Sequence, residues 1–457
     1  MTDIIEEKTI AAISTPPGEG GIGVIRISGR DAIAVADSVF RSVSGKKLAE
    51  IKGYTALYGK VFDKDRAIDE AVALLFRAPH SYTGENVVEL SLHGGAYVLR
   101  EALRTVYKAG AVPSQAGEFT KRAYLNGKIN LLEAEAVMGI ISASGEATRR
   151  AALEVREGTV SKKVAEIKDN LLTAAAGLTV YCDYPDDELP EFSPETLEKS
   201  LRDAENGLRG ILKNYDVGKV LREGVDTVLC GRPNVGKSTL MNLLVGSRRS
   251  IVTATAGTTR DAVEETVALG DLMLRLTDTA GLRETDDEIE LIGVGISREK
   301  IEKATLIIAV FDASEEANSE DLELLKICRD RPSIAVVNKS DLDVKFNLEL
   351  TKGIETVVLS AEKTVDALDI IRKSVEKVTG TALKGDESFL CTERQRNATY
   401  NALKSVTEAK ELLHSGMTLD AVGVIIDEAI ASLLLLTGEK VTEAVVSEVF
   451  SKFCVGK

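Results

Sequence analysis

Apolar and polar positions along the chain fall into three textures. Over residues 1–119, short apolar runs alternate with turn formers. Residues 9–13 lead into Pro16-Pro17-Gly18 and Gly20-Gly21, and 23–27 read as a second strand ending near Gly29. Residues 71–76 and 87–92 are further strands, and 97–109 carry helical spacing, which predicts a small α+β domain. From about residue 120 the chain becomes rich in Ala, Leu, Glu and Lys at three- and four-residue spacing. Leu131, Ala134, Val137, Met138 and Ile141 share one face of a predicted helix. Residues 183–194, with Pro185, Pro190 and Pro194, read as a loop, and the helical texture returns at 392–414, 419–436 and 440–453. Between the helical blocks, residues 225–380 alternate strand and helix patterns. Neither helical block has an obvious partner of its own for its apolar faces. The expected architecture is therefore multidomain α/β + α, with an α/β domain inserted into a discontinuous helical domain. The divisions fall at 1–119 (α+β), 120–217 (helical), 218–384 (α/β) and 385–457 (helical).

Composition narrows the function classes. A chain of 457 residues suggests about three domains. It carries 57 basic and 72 acidic side chains, a net charge of −15, so any nucleic-acid contact must use a local basic patch. Arg149-Arg150 and Arg248-Arg249 are such clusters, although solvated surface is the stronger reading of both. Hydrophobic content of 44% excludes global disorder. The cysteines (Cys182, Cys230, Cys328, Cys391 and Cys454) stand singly, and His80, His93 and His414 are the only histidines. That pattern provides neither a zinc nor an Fe–S ligand set, and it fits a reducing compartment. Residues 1–8 have no apolar signal core, and the greasiest stretch, 421–436, is interrupted by Asp427 and Glu428. A cytoplasmic protein with no membrane association is expected.

The chemistry lies in the α/β segment. A strand at 225–230 runs into Gly231-Arg232-Pro233-Asn234-Val235-Gly236-Lys237-Ser238 and then an apolar helix beginning at Thr239. This is a complete phosphate-loop pattern in its strand–loop–helix context. Glycines let the backbone wrap a phosphate, amides at the helix start face the anion, Lys237 supplies charge and Ser238 a hydroxyl for Mg²⁺. A strand at 272–277 precedes Asp278-Thr279-Ala280-Gly281, where Asp278 can reach the Mg²⁺ shell and Gly281 the γ-phosphate. A strand at 333–337 precedes Asn338-Lys339-Ser340-Asp341, and a strand at 356–359 delivers Ser360-Ala361. The Asp341 carboxylate can accept from guanine N1–H and N2–H₂, a donor pair that adenine lacks, and the Ser360-Ala361 backbone can meet O6. Four such elements in order, each at a strand's C-terminal edge, predict a Ras-like P-loop GTPase.

Two loops bear on hydrolysis. Residues 250–261 include Thr253-Ala254-Thr255-Ala256-Gly257-Thr258-Thr259, and Thr259 is the natural second Mg²⁺ hydroxyl, ordered by the γ-phosphate. Ras-like enzymes place a water-orienting glutamine just after Asp-x-x-Gly, but Leu282 stands here. A polar group from 283–290 must serve, and spacing does not choose among Glu284, Asp286, Asp287, Glu288 and Glu290.

These motifs resemble the MnmE (TrmE) family of tRNA modification GTPases. The likeness extends to the end sequence Phe453-Cys454-Val455-Gly456-Lys457, to 16–26, to Tyr82-Thr83-Gly84-Glu85 through His93, and to Ala116-Gly117-Glu118-Phe119. Val455 replaces the usual isoleucine of the end motif. The resemblance implies a potassium ion on Asn234, Thr253, Thr255 and Thr258, and Glu290 as the water-orienting group beside Lys237. It implies a homodimer whose N-terminal domain binds 5-formyl-tetrahydrofolate through Arg26, Glu89, Lys128 and Lys457. It further implies modification of C5 of the wobble uridine with an FAD-dependent MnmG (GidA)-type partner, as a heterotetramer. Cys454 would take part in that chemistry, while a small buried hydrophobe near a chain end is the other reading. A GTP-driven assembly switch and a folate-dependent one-carbon enzyme with a regulatory G domain are the competing functions.

Overall fold

The computed structural model describes residues 8–143, 145–183, 193–213, 215, 218–220, 224–246, 264–270, 272–277, 301, 304–380, 390 and 392–457. Its packing divides into two units, Met1–Met138 with Leu433–Lys457, and Gly139–Ser432.

The first unit is built on a seven-stranded sheet of order β3-β4-β5-β6-β2-β1-β7. Its strands are β1 (Ile10–Ile13), β2 (Gly20–Ser28), β3 (Phe40–Ser42), β4 (Thr55–Asp63), β5 (Arg66–Phe76), β6 (Val87–Gly94) and β7 (Val112–Pro113). Helices Ala32–Val39 and Ala96–Lys108 bury Val35, Val39, Leu99 and Val106 against the inward residues Ile25, Ile27, Leu75 and Leu90. Alternation along β2 and β5 made those strands visible in the sequence. Strand β4 was not, because Gly59 and Lys60 dilute its pattern. The glycine is required by close approach: a Cβ there would lie 2.2 Å from the Arg41 carbonyl oxygen.

Arg122, on helix Glu118–Leu125, is almost fully buried. It donates to both Glu85 oxygens at 3.1 Å, to Glu118 at 2.8 Å and to the Lys8 carbonyl at 3.0 Å. The C-terminal residues complete this unit. Val446, Val449, Phe450 and Phe453 pack on Ala123, Ile129, Leu131 and Ala134, and Val455 forms an antiparallel bridge with Ala116.

In the second unit, helices Pro194–Lys213 and Glu393–His414 pack together although the whole α/β segment separates them in sequence. Lys410 closes the pair on Glu205 at 2.8 Å. The predicted insertion of an α/β domain into a helical one is therefore seen. The inserted sheet has order β13-β12-β11-β8-β10-β9. It comprises β8 (Val225–Cys230), β9 (Glu264–Leu269), β10 (Leu272–Thr277), β11 (Leu306–Asp312), β12 (Ser333–Asn338) and β13 (Glu355–Val358). All pairings are parallel except β9 with β10. Strand β11 is wholly buried, as a central parallel strand covered on both faces should be. No helix among the described residues is long and apolar enough to cross a membrane.

The buried Arg122 cluster yields a stability prediction. Arg122→Ala leaves Glu85 and Glu118 without their shared cation, and should destabilise the first unit by about 3 kcal/mol. Denaturant unfolding of the full chain, followed by a probe in that unit, measures it; a loss below about 1 kcal/mol would contradict a structural role for the cluster.

Candidate functional site

Parallel pairing places the C-terminal ends of β8, β10, β11, β12 and β13 along one edge of the inserted sheet. The chain winds outward in both directions from the β8/β11 pair, so a crevice opens at that switch point, where α/β sheets bind ligands. The phosphate loop leaves β8 there. Gly231 (φ +149°) and Gly236 (φ +95°) hold backbone that other residues rarely adopt. A Cβ on Gly231 would lie 2.3 Å from the Val310 carbonyl oxygen, and one on Gly236 would lie 2.1 Å from Asn338 Nδ2. The loop is thus pressed against β11 and the end of β12. Helix Lys237–Gly246 follows, with Lys237, Ser238 and Thr239 in its first turn and its amide ends facing the loop. Lys237 Nζ folds over the loop, donating to the Gly231 and Arg232 carbonyls at 2.8 and 2.6 Å.

Arg232, the loop's one arginine, binds the buried Asp321 at 2.9 Å and Glu315 at 3.2 Å, on or beside helix Ser319–Arg329. Cys230 lies just before the loop, and burial pushes its thiol up to about 12, so it holds no thiolate at neutral pH.

The predicted base-recognition residues meet the phosphate loop directly. Asn338, 3% exposed, donates from Nδ2 to the Val235 carbonyl at 3.0 Å and accepts at Oδ1 from the Ala361 amide at 2.9 Å. One side chain therefore spans three loops. Lys339 Nζ donates to the Asn234 carbonyl at 2.7 Å, and the Ser340 amide donates to Leu359 O at 3.2 Å. Asp341 pairs with Lys363 at 2.7 Å. That ammonium, and then Ser360, hold its carboxyl below the usual range, so it is an ionised acceptor at neutral pH. Asn234, Val235, Gly236, Asn338, Lys339, Ser360 and Ala361 are thus brought together by direct contacts. Thr253, Ala254, Thr255, Ala256, Gly257, Thr258, Thr259, Asp278, Thr279, Ala280, Gly281 and Glu290 lie outside the described residues. Thr277, the residue before Asp278, ends β10 beside Val228 of β8.

In the first unit, Arg26 and Glu89 are directly opposed on β2 and β6 and form an ion pair at 2.8 Å. The Arg26 guanidinium lies 5.6 Å from the ring centres of both Tyr82 and Phe119. The chain end docks beside them. Ser14 Oγ donates to Gly456 O at 3.0 Å, Phe119 N to Lys457 O at 3.1 Å and Gly117 N to Cys454 O at 3.3 Å. Gly456 (φ +94°) has no room for a Cβ, which would lie 2.4 Å from the Ile13 carbonyl oxygen. Lys128 turns instead to the Pro79 carbonyl at 3.1 Å. The tail is docked, yet Cys454 is exposed, so the buried-hydrophobe reading does not describe it.

Sequence reasoning missed Asp312, which ends β11 and binds Lys339 at 2.6 Å, and Lys363. An aspartate after a fully apolar run reads as a turn, and nothing in its spacing marks it.

The TrmE N-terminus family (described as "GTP-binding protein TrmE N-terminus") matches residues 9–128, and the MnmE helical domain family matches residues 131–454. The chain is 38% identical over 456 residues to a tRNA modification GTPase MnmE of Clostridioides difficile, covering 99% of both chains. It is 40% identical over 463 residues to a tRNA modification GTPase MnmE of Alkaliphilus metalliredigens, again covering 99% of both. Among solved structures, the G domain of the T. maritima FeoB iron transporter is 25% identical, covering 34% of this chain and 98% of its own, at a TM-score of 0.26.

Asp341 gives the sharpest test of base recognition. Asp341→Asn should weaken GTP binding by about 2 kcal/mol, because two charge-assisted hydrogen bonds are lost. Affinity for xanthosine triphosphate should rise, since xanthine presents a carbonyl where guanine has an amino group. Titration of both nucleotides decides it, and unchanged GTP affinity would remove Asp341 from the site.

Proposed function

The chain belongs to the MnmE family of tRNA modification GTPases, and from that premise we propose that potassium-dependent GTP hydrolysis here drives modification of C5 of the wobble uridine of certain tRNAs. The addition is of the aminomethyl or carboxymethylaminomethyl type, with a folate one-carbon unit and an FAD-dependent MnmG (GidA)-type partner. The observation that carries the nucleotide reading is the Asn338 bridge between Val235 and Ala361, which gathers phosphate-binding and base-binding loops at one strand edge.

On this reading Lys237 would move from the loop carbonyls to the β/γ-phosphate oxygens, and Ser238 and Thr259, with Asp278 within reach, would hold the Mg²⁺ that offsets the phosphate charge. The backbone of 234–239, of 253–259 and of 278–281 surrounds the phosphates. The base sits among Asn338, Lys339, Asp341, Ser360 and Ala361. Charge develops on the transferred phosphoryl group, and Arg232 is committed to Asp321 and Glu315. A potassium ion held by Asn234, Thr253, Thr255 and Thr258 would supply the missing positive charge. Glu290 orients the attacking water.

For the folate, the fit rests on the Arg26–Glu89 pair, two flanking rings and the docked Lys457, a setting suited to a flat heteroaromatic with N–H and carboxylate groups. Lys128 would add charge from the neighbouring segment. Cys454 is exposed and lies two residues before Gly456, whose carbonyl faces Arg26; on this reading its thiol would take part in transfer of the one-carbon unit. A homodimer, joined by the partner into a heterotetramer acting on tRNA in the cytoplasm, completes the proposal. Its domains are 1–119, 120–217, 218–384 and 385–457.

Two measurements separate binding from chemistry. Hydrolysis at saturating GTP and Mg²⁺ should be faster in KCl than in NaCl at equal ionic strength, a control for screening. Asn234→Ala should abolish that difference while nucleotide still binds; equal rates in the two salts for the parent would sink the cation mechanism and favour the assembly switch. Glu290→Ala should keep GTP affinity and lose most single-turnover hydrolysis. Unchanged turnover would move the role to another acid of 283–290.

A further inference from the structure

Lys339 opens the base-recognition loop with φ +62°. Its ammonium donates to two oxygens, Asp312 Oδ2 at the end of β11 at 2.6 Å and the Asn234 carbonyl in the phosphate loop at 2.7 Å. Asp312 closes β11 directly opposite Asn338 in the parallel ladder and is 3% exposed. Its other oxygen accepts from Ser314 N at 2.9 Å and Ser314 Oγ at 2.7 Å, so the carboxylate is fixed from both sides. Asn234 also has positive φ, +64°. Of the four non-glycine residues with positive φ among the described residues, two therefore meet across this single contact. Such backbone persists only where its surroundings over-determine it.

We infer that Asp312 is a positioning residue of the nucleotide site. Its buried carboxylate holds the Lys339 ammonium on the Asn234 carbonyl, and so fixes the phosphate loop against the base-recognition loop before nucleotide arrives. The inference rests on the reading of these loops as the guanine nucleotide site. With only a carbonyl as partner, a lysine head exchanges readily with solvent; a buried carboxylate behind it removes that freedom. When the two loops are not held together, the ligand must order them itself, and affinity falls without loss of any ligand contact. GDP and GTP share the base and the inner phosphates, so both should suffer alike.

Asp312→Asn keeps the side-chain shape and an acceptor for Ser314 but removes the charge. In the full chain, GDP and GTP affinities should both fall by about tenfold, with turnover at saturating GTP retained within about twofold. The preference for GTP over inosine triphosphate, which reads Asp341, should not move. On a Lys339→Met background the same substitution should cost no further affinity. Ser314→Ala, which removes only the turn contact, should leave affinity within about twofold. A role confined to folding the turn would lower the thermal midpoint and leave affinity unchanged, or give the same loss with and without Lys339; either result overturns the inference. If Asp312→Asn does not fold, Asp312→Glu, with its charge displaced by one methylene, replaces it, and unaltered nucleotide affinity in that variant overturns the inference equally. Lys237→Ala is the control for the site. Nucleotide binding that survives it defeats the site reading itself, whereas its loss beside an unaffected Asp312→Asn defeats the inference alone.

Discussion

The nucleotide site depends on one buried amide. Asn338 has a donor and an acceptor at the end of a side chain that sits where three strand ends converge. It uses one on the Val235 carbonyl and the other on the Ala361 amide. Both partners are main-chain groups in segments that follow β8 and β13, so each would lose this hydrogen bond if the amide were removed. The neighbours are shaped by the same constraint. Gly236 is glycine because the Asn338 amide occupies the space of a Cβ, and Val235 is buried beneath it. On the proposed reading, phosphate binding and base selection become properties of one cross-tied edge and not of separate loops.

The chain terminus follows a related logic in the first unit. Residues 454–457 are held through their main-chain carbonyls by the Ser14 hydroxyl and the Gly117 and Phe119 amides, and by a bridge to Ala116. Phe453, buried against Phe450, anchors the segment just before them. The polar end thus lies beside Arg26, whose NH1 reaches the Gly456 carbonyl at 3.5 Å. Cys454 stays at the surface because its neighbours, and not its own side chain, carry the burial. Residues from the end of β1, from β2 and from the C-terminal segment meet beside Arg26, as residues at or just after the ends of β8, β11, β12 and β13 meet at the other edge.

Much of this was legible in the sequence, and what was missed has physical causes. Strands β8, β10 and β12 were read almost to the residue because each ends in a motif that needs a strand before it. Strands β2, β5 and β6 showed through alternation, and the long helices through their spacing. Helix Ala32–Val39 and strands β3 and β4 were missed: the helix is short and its Ala-rich face has low contrast, and β4 is interrupted by the glycine that its neighbour's backbone demands. The packing of residues 194–213 on 393–414 could be argued only from unsatisfied apolar faces. Asp312 and Lys363 were invisible because their roles are tertiary. Each matters through one long-range ion pair that no local pattern encodes. Residues 247–263 and 278–300 lie outside the described residues, so Thr259, Asp278 and Glu290 rest on motif and family alone.

If the cross-tied edge serves GTP hydrolysis in tRNA modification, the most direct test reads the tRNA. Nucleosides from bulk tRNA should be compared between cells carrying the parent chain and cells whose sole copy carries Asn338→Ala, with the protein present at matched levels. Under the proposed function, wobble uridines should lose their C5 aminomethyl-type group in the variant and carry it in the parent. Full C5 modification in the variant would contradict it, because the amide on which both loops depend would then be dispensable for the function.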